Sequence, residues 1–153
     1  MKVEYINPFL TASSDILKQV CNINVEKKPL FIKQGILNLK EITITVGITG
    51  DVKGNLILNL DKSTALIIAS RMMGGFEVTE LNEIAASAVS ELGNMIAGQS
   101  GMHFSSLNKN IDITPPIMHI NSKDAQMNYE QQTVCVPMHL DVDGIIEVDI
   151  SLI

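Results

Sequence analysis

The sequence predicts an α/β fold in which helices lead into two β-hairpins. Three observations carry that expectation. Apolar residues alternate with period two in "EITITVGI" (41–48) and "GNLILNL" (54–60), and again near the C-terminal end. Around these stretches the apolar spacing becomes helical. The four-residue turns "DVKG" (51–54) and "DVDG" (141–144) each join two strands. Alternation puts one apolar face on a strand, and a 3.6 period puts an apolar stripe on a helix. The echo of the turns points to a helix–strand–strand–strand unit used twice, with an extra helix after the first copy. Helices that pack their apolar face on such strands make an α+β layered arrangement. Four shared turn residues are thin support, because hairpin turns draw on few residue types.

Each element follows from local chemistry. Asn7 and Pro8 suit the cap and first position of a helix over 7–20, with Phe9, Leu10, Ile16, Leu17 and Val20 as its apolar face. Residues 22–30 are polar, contain Lys27-Lys28-Pro29 and read as a loop. A strand near 31–38 precedes the first hairpin. Asp61 or Ser63 caps a helix through "TALIIASRMM", which stops at Gly74-Gly75. A long helix occupies about 79–105, with Thr79 and Asn82 as alternative caps. "DITPP" ends helical structure. Strands follow near 116–121, 131–140 and 144–152, the last two turning at Asp143-Gly144.

Composition limits the function. The 153 residues are 46% hydrophobic and 18% charged, which fits one globular domain over 1–153. The net charge is −6 and Arg71 is the one arginine, so no clustered basic footprint for nucleic acid is expected. No apolar run spans a bilayer and no signal-like segment opens the chain, so a cytoplasmic protein without a membrane role is expected. Cys21 and Cys135 read as buried free thiols. No CxxC pair exists, and His103, His119 and His139 lack partners at ligand spacing, so no metal site is expected. The eight methionines read as core filler.

The long helix carries the chemistry. At 100° per residue, Leu81, Ala85, Ala88, Leu92 and Ile96 gather on the face expected to meet the sheet, with Ile84, Met95 and Met102 near its edge. Ser87, Asn94, Gly98, Gly101 and Ser105 form another stripe, with Glu91 at its border. Glu91 and Asn94 are three apart and therefore neighbours. A solvated helix face ordinarily carries long charged side chains. Here the flanking residues are small and only an acid and an amide project. That suits a partner lying close to the backbone, although packing against another helix of the same chain uses small residues equally well. The spacing alone is unspecific: Glu4-Tyr5-Ile6-Asn7 repeats it, with Asn7 read as a cap and Glu4 outside the helix. Gly93 lies on the opposite flank and has no explanation from sequence.

The ordered blocks "VGITGDVKGNLILNL", "RMMGG", "ELGNMIAG" and "DITPP" resemble the CheX branch of the CheC/CheX/FliY chemotaxis phosphatases. The resemblance runs from about the first helix to the last hairpin. It implies an antiparallel sheet packed on long helices with pseudo-twofold halves. It also implies hydrolysis of the aspartyl phosphate of a CheY-like response regulator, with the E-x-x-N helix inserted into the regulator's site. CheX-type members are similar to this chain in having one active E-x-x-N, and they are homodimers joined through their sheets. Carried over, Glu91 and Asn94 are the candidate catalytic pair. Ser87, Gly98, Gly101 and Ser105 are the candidate docking surface. The resemblance implies no cofactor of the chain's own, with Mg²⁺ in the partner regulator. Two alternatives stay open: a non-catalytic receiver-binding adaptor, as in the flagellar switch, and a small-molecule pocket between helices and sheet.

Overall fold

The computed structural model describes residues 3–153. In chain order the described elements are α1 (Val3–Cys21), β1 (Val25–Lys27), β2 (Phe31–Asn38), β3 (Ile42–Gly50), β4 (Gly54–Leu60), α2 (Lys62–Met72), α3 (Glu83–Ser106), β5 (Ile111–Ile113), β6 (Ile117–Ile120), β7 (Gln126–Leu140) and β8 (Ile145–Leu152). The strands form one antiparallel sheet. Its centre is β7-β8-β4-β3. Along one margin β1 and β2 pair with successive parts of β7; along the other β5 and β6 pair with successive parts of β3.

This is the expected duplication with one modification. The halves α1-β1-β2-β3-β4 and α3-β5-β6-β7-β8 repeat each other, with α2 inserted between them. In each half the strand before the hairpin is broken in two, and each broken strand pairs with the other half's hairpin. Proline marks both breaks, Pro29 in the first half and Pro115-Pro116 in the second, because proline offers no N–H to a ladder. The stretch read as a loop over 22–30 therefore contains β1, and "DITPP" contains the end of β5.

Period two decides which side of the sheet the helices cover. Ile42, Ile44, Val46, Ile48, Leu56, Leu58, Leu60, Val136, Val148 and Ile150 share one face and one core with the helices. Fully burying such a side chain gains about 1.5–3 kcal/mol. α1 enters this core through Ile6, Phe9, Leu10, Ile16 and Leu17. Phe9 meets Phe104 of α3 edge-on, ring centroids 5.4 Å apart. Two expectations fail here. α1 starts before Asn7, so Asn7 is not its cap, Pro8 lies inside it, and Glu4 is helical. A proline inside a helix costs about 3 kcal/mol. Burial of Ile6, Phe9 and Leu10 offsets this at the rate above, so the helix runs through.

The other face of the sheet is polar at its centre yet buried. Leu37, Leu39 and Tyr129, from the β2–β7 margin, pack with Ile57 and Cys135 there. Beneath them Thr43 Oγ1 donates to Asn59 Oδ1 at 2.7 Å, and Asn59 Nδ2 donates to Asp149 Oδ2 at 2.8 Å. Hairpin alternation shows these positions as polar and solvent-facing. It does not show that an extended margin covers them.

α2 ends as expected where Gly74 takes a left-handed φ of +83°. Its N-cap position is Asp61, whose side chain makes no cap hydrogen bond. The second hairpin turns at Gly144, with φ +123°.

Candidate functional site

α3 is positioned at its start by Asn82, the second of the two expected caps. Its side chain accepts a hydrogen bond from the Ala85 N–H at 2.9 Å. Glu83 in the first turn complements the helix dipole. The helix then buries Ala85, Val89, Leu92, Gly93, Ile96, Ala97, Ser100 and Phe104. This face is rotated by roughly 70° from the expected one. Leu81 lies before the helix, Ala88 is only half-buried, and Ile84 and Met102 are each 66% exposed.

Gly93 explains the rotation. A Cβ on Gly93 would lie 2.8 Å from Cγ2 of Ile44 in β3. The helix therefore seats Gly93 against β3 and approaches closer there than a larger side chain allows. Spacing alone centres the seat on Leu81, Ala85, Ala88, Leu92 and Ile96 and leaves Gly93 off it. Close packing of α3 on β3 accounts for it.

The rotation leaves the predicted stripe almost opposite the core. Ser87, Glu91, Gly98 and Ser105 are exposed, and Asn94 and Gly101 are half-buried at its margin. All six candidate residues lie along this one face. Asn94 Nδ2 donates to Glu91 Oε1 at 3.3 Å. That contact leaves the Asn94 carbonyl oxygen as an acceptor for a water proton, while the Glu91 carboxylate faces outward. A Cβ on Gly98 would meet nothing within 4 Å, so the space above it is open. Gly101 is different: a Cβ there would touch Ile111 of β5 at 3.6 Å. Part of its smallness serves packing within the chain.

One feature of the surface was missed from sequence. A shallow depression of about 500 Å³ beside Glu91 is lined by Glu83, Ile84, Ser87 and Ala88. Ile84 and Met102 bracket the acid on the same side of the helix, within about 20° of Glu91 at 100° per residue. The seven-residue steps from Ile84 to Glu91 to Gly98 carried that signal, and misplacing the buried face hid it.

The histidines stay dispersed, in α3, β6 and β7. Cys21 and Cys135 are buried free thiols, as expected. Burial pushes the Cys21 thiol up to about 11. The absence of a ligand cluster in the sequence does not carry over to space, because the β7–β8 register sets Cys135 opposite Asp149. Ligand atoms of Cys135, Glu147 and Asp149 lie within 4.8 Å of one another. Burial, and then the nearby Glu147 carboxylate, push Asp149 up to about 9. At neutral pH the Asp149 carboxyl therefore keeps its proton, on the sheet face away from α3. Among the described residues no helix is long and apolar enough to cross a membrane.

The fold and site together define a class: a duplicated α/β layer protein whose longest helix presents an acid–amide pair to solvent. A family model described as chemotaxis phosphatase CheX matches residues 42–139. The CheY-P phosphatase CheX of Thermotoga maritima is 34% identical over 128 residues, which cover 83% of this chain and 81% of that protein. The CheX–CheY–BeF3–Mg²⁺ complex from Borrelia burgdorferi contains a chain 30% identical, with a TM-score of 0.81 over 99% of both chains. A chemotaxis protein CheX from Desulfovibrio desulfuricans, 21% identical, shares the fold at a TM-score of 0.87 over 99% of this chain and all of that one. The chain belongs to the CheX family of chemotaxis phosphatases.

Proposed function

We propose that this protein hydrolyses the aspartyl phosphate of a CheY-like response regulator, using Glu91 and Asn94. The observation that carries the reading is the solvent-facing acid–amide pair on α3 with open space over Gly98. An acyl phosphate is attacked by water in line with the departing carboxylate. The Asn94 carbonyl oxygen accepts a hydrogen bond from that water and orients it, without adding charge near the phosphoryl oxygens. A neutral amide positions water in the same way in small GTPases. Glu91 pairs with a lysine of the regulator and anchors the helix over its site. The Mg²⁺ belongs to the regulator, where it neutralises the phosphoryl oxygens. The Borrelia burgdorferi complex supports this assignment, since it joins a CheX to CheY with BeF3 and Mg²⁺, and beryllium trifluoride has the shape of a phosphoryl group on aspartate.

The reading places the protein in the cytoplasm as a homodimer joined through its sheet. β2 supports the dimer. It is an edge strand whose Phe31, Ile32 and Ile36 are exposed. An uncovered apolar edge is a template for pairing with a second chain.

The test is the lifetime of phosphorylated CheY-like regulators from the same source. One regulator should lose phosphate faster in the presence of this protein. If the protein binds a phosphorylated regulator and leaves its lifetime unchanged, the adaptor reading replaces the enzymatic one.

A further inference from the structure

We infer that Cys135, Glu147 and Asp149 form a binding site for one Zn²⁺ ion, on the sheet face away from α3 and separate from the acid–amide pair. The site follows from the register of the central strands. Cys135 on β7 lies directly opposite Asp149 on β8. Glu147 lies two residues along β8, and so on the same face of the sheet. One ligand atom from each residue, the Cys135 Sγ and a carboxylate oxygen of Glu147 and of Asp149, lies within 4.8 Å of the other two. Zinc bonds thiolate sulfur at about 2.3 Å and carboxylate oxygen at about 2.0–2.2 Å, so tetrahedral ligands sit about 3.5 Å apart, a short side-chain rotation from these positions.

A second, independent observation marks the same place. Asp149 is fully buried, and its Oδ1 has no hydrogen-bond partner. Its other oxygen is held: Asn59 Nδ2 donates to Oδ2 at 2.8 Å. Asn59 is fixed in turn, since its Oδ1 accepts from Thr43 Oγ1 at 2.7 Å and from the Lys40 N–H at 3.2 Å. One oxygen braced and the other left over is how an outer shell orients a ligating carboxylate. Among the described residues neither Glu147 nor Asp149 forms an ion pair. A buried carboxylate is costly unless it is paired or bound to a metal. A divalent cation satisfies all three groups at once, and the Cys135 thiol and Asp149 carboxyl release their protons to solvent as it binds.

The ligand set chooses the ion. Mg²⁺ and Ca²⁺ are hard cations that take oxygen, whereas sulfur beside carboxylate in a tetrahedral set suits Zn²⁺. Water completes the fourth position on the side of Glu147, which is half-buried and gives the ion its entry. Leu37, Leu39 and Tyr129 cover Cys135 and Ile57 from the β2–β7 margin. The ion therefore fastens β7 to β8 beneath that margin. Its effect is on stability, and it takes no part in the phosphatase reaction.

The test titrates the metal-free full-length chain with Co²⁺, whose bond to a thiolate absorbs in the near ultraviolet, and then with Zn²⁺. One equivalent of Co²⁺ should raise the thiolate absorption, Zn²⁺ should displace it, and Mg²⁺ at the same concentration should not. Zn²⁺ at a hundredfold excess over its Kd should raise the melting temperature by roughly 5–10 °C. Cys135→Ser should abolish the absorption, and Cys21→Ser should keep it. Asp149→Asn should keep the metal-free fold and weaken Co²⁺ binding at least tenfold, which decides the matter if Cys135→Ser does not fold. A wild type that binds these ions without thiolate absorption, or does not bind them, overturns the site. So does absorption that survives Cys135→Ser, or an affinity unchanged in Asp149→Asn.

Discussion

At the scale of single residues, three side chains make different demands. Asn94 is a catalytic group in the proposed reaction, so its loss acts on rate. Asn94→Ala should lower the turnover of a phosphorylated regulator by about a hundredfold or more, the range for removing one positioned hydrogen-bonding group from an active site. Gly93 is a packing residue. Gly93→Ala adds helix propensity worth about 1 kcal/mol, but its Cβ would press on Ile44, which is fully buried. Overpacking costs about 1–3 kcal/mol, so denaturant unfolding should show net destabilisation. Asp149 gives a pH signature. Its folded carboxyl titrates near 9, well above an unfolded aspartate near 3.9. Both states hold the proton at low pH. As pH rises through 4, the unfolded chain releases it and the folded chain does not. Stability from this group therefore falls with rising pH between about 4 and 9, then levels. Asp149→Asn should flatten that fall and raise the melting temperature at pH 7, because Asn59 keeps an acceptor.

At the scale of the element, α3 shows what the sequence made legible and what it did not. Its existence, a cap at one of two candidate positions and the alignment of Glu91, Asn94 and Gly98 on one face follow from spacing; that the cap is Asn82 rather than Thr79 does not. The buried face does not, because glycine, alanine and serine carry no hydrophobic signal while permitting the closest contact with the sheet. The hairpins were readable for the opposite reason: strict alternation of Ile, Val and Leu leaves one choice of face. The split margins were not, because β1 and β5 are three residues each and gain stability from β7 and β3 rather than from their own sequence. α1 was misjudged at Asn7-Pro8, where a local cap signal met a stronger demand for burial. Gly98 tests α3 as a docking element. Gly98→Ala should stabilise the free protein, by about 1 kcal/mol from propensity alone, since a Cβ there touches nothing. Gly98→Leu should keep the fold and weaken regulator dephosphorylation, because the added bulk stands where the partner approaches.

At the scale of the whole molecule, duplication organises both structure and surface. The central pair β4–β8 joins the two halves, and each broken strand crosses to the opposite hairpin. Both first helices thus lie over one sheet face, and both E-x-x-N pairs point away from it. The opposite face carries the polar core under Leu37, Leu39 and Tyr129, and β2 leaves an apolar edge open. If that edge joins two copies, Ile32→Glu/Ile36→Glu should shift the molecule from dimer to monomer by light scattering, with its helical content retained. The central claim concerns the pair on α3. It is tested most directly by comparing wild type with Asn94→Ala at saturating phosphorylated regulator, and measuring binding of each to the beryllium trifluoride-activated regulator. The expected result is a turnover lower by about two orders of magnitude, with affinity changed only a few-fold. An Asn94→Ala protein that turns over phosphate at the wild-type rate would show that this amide positions no water.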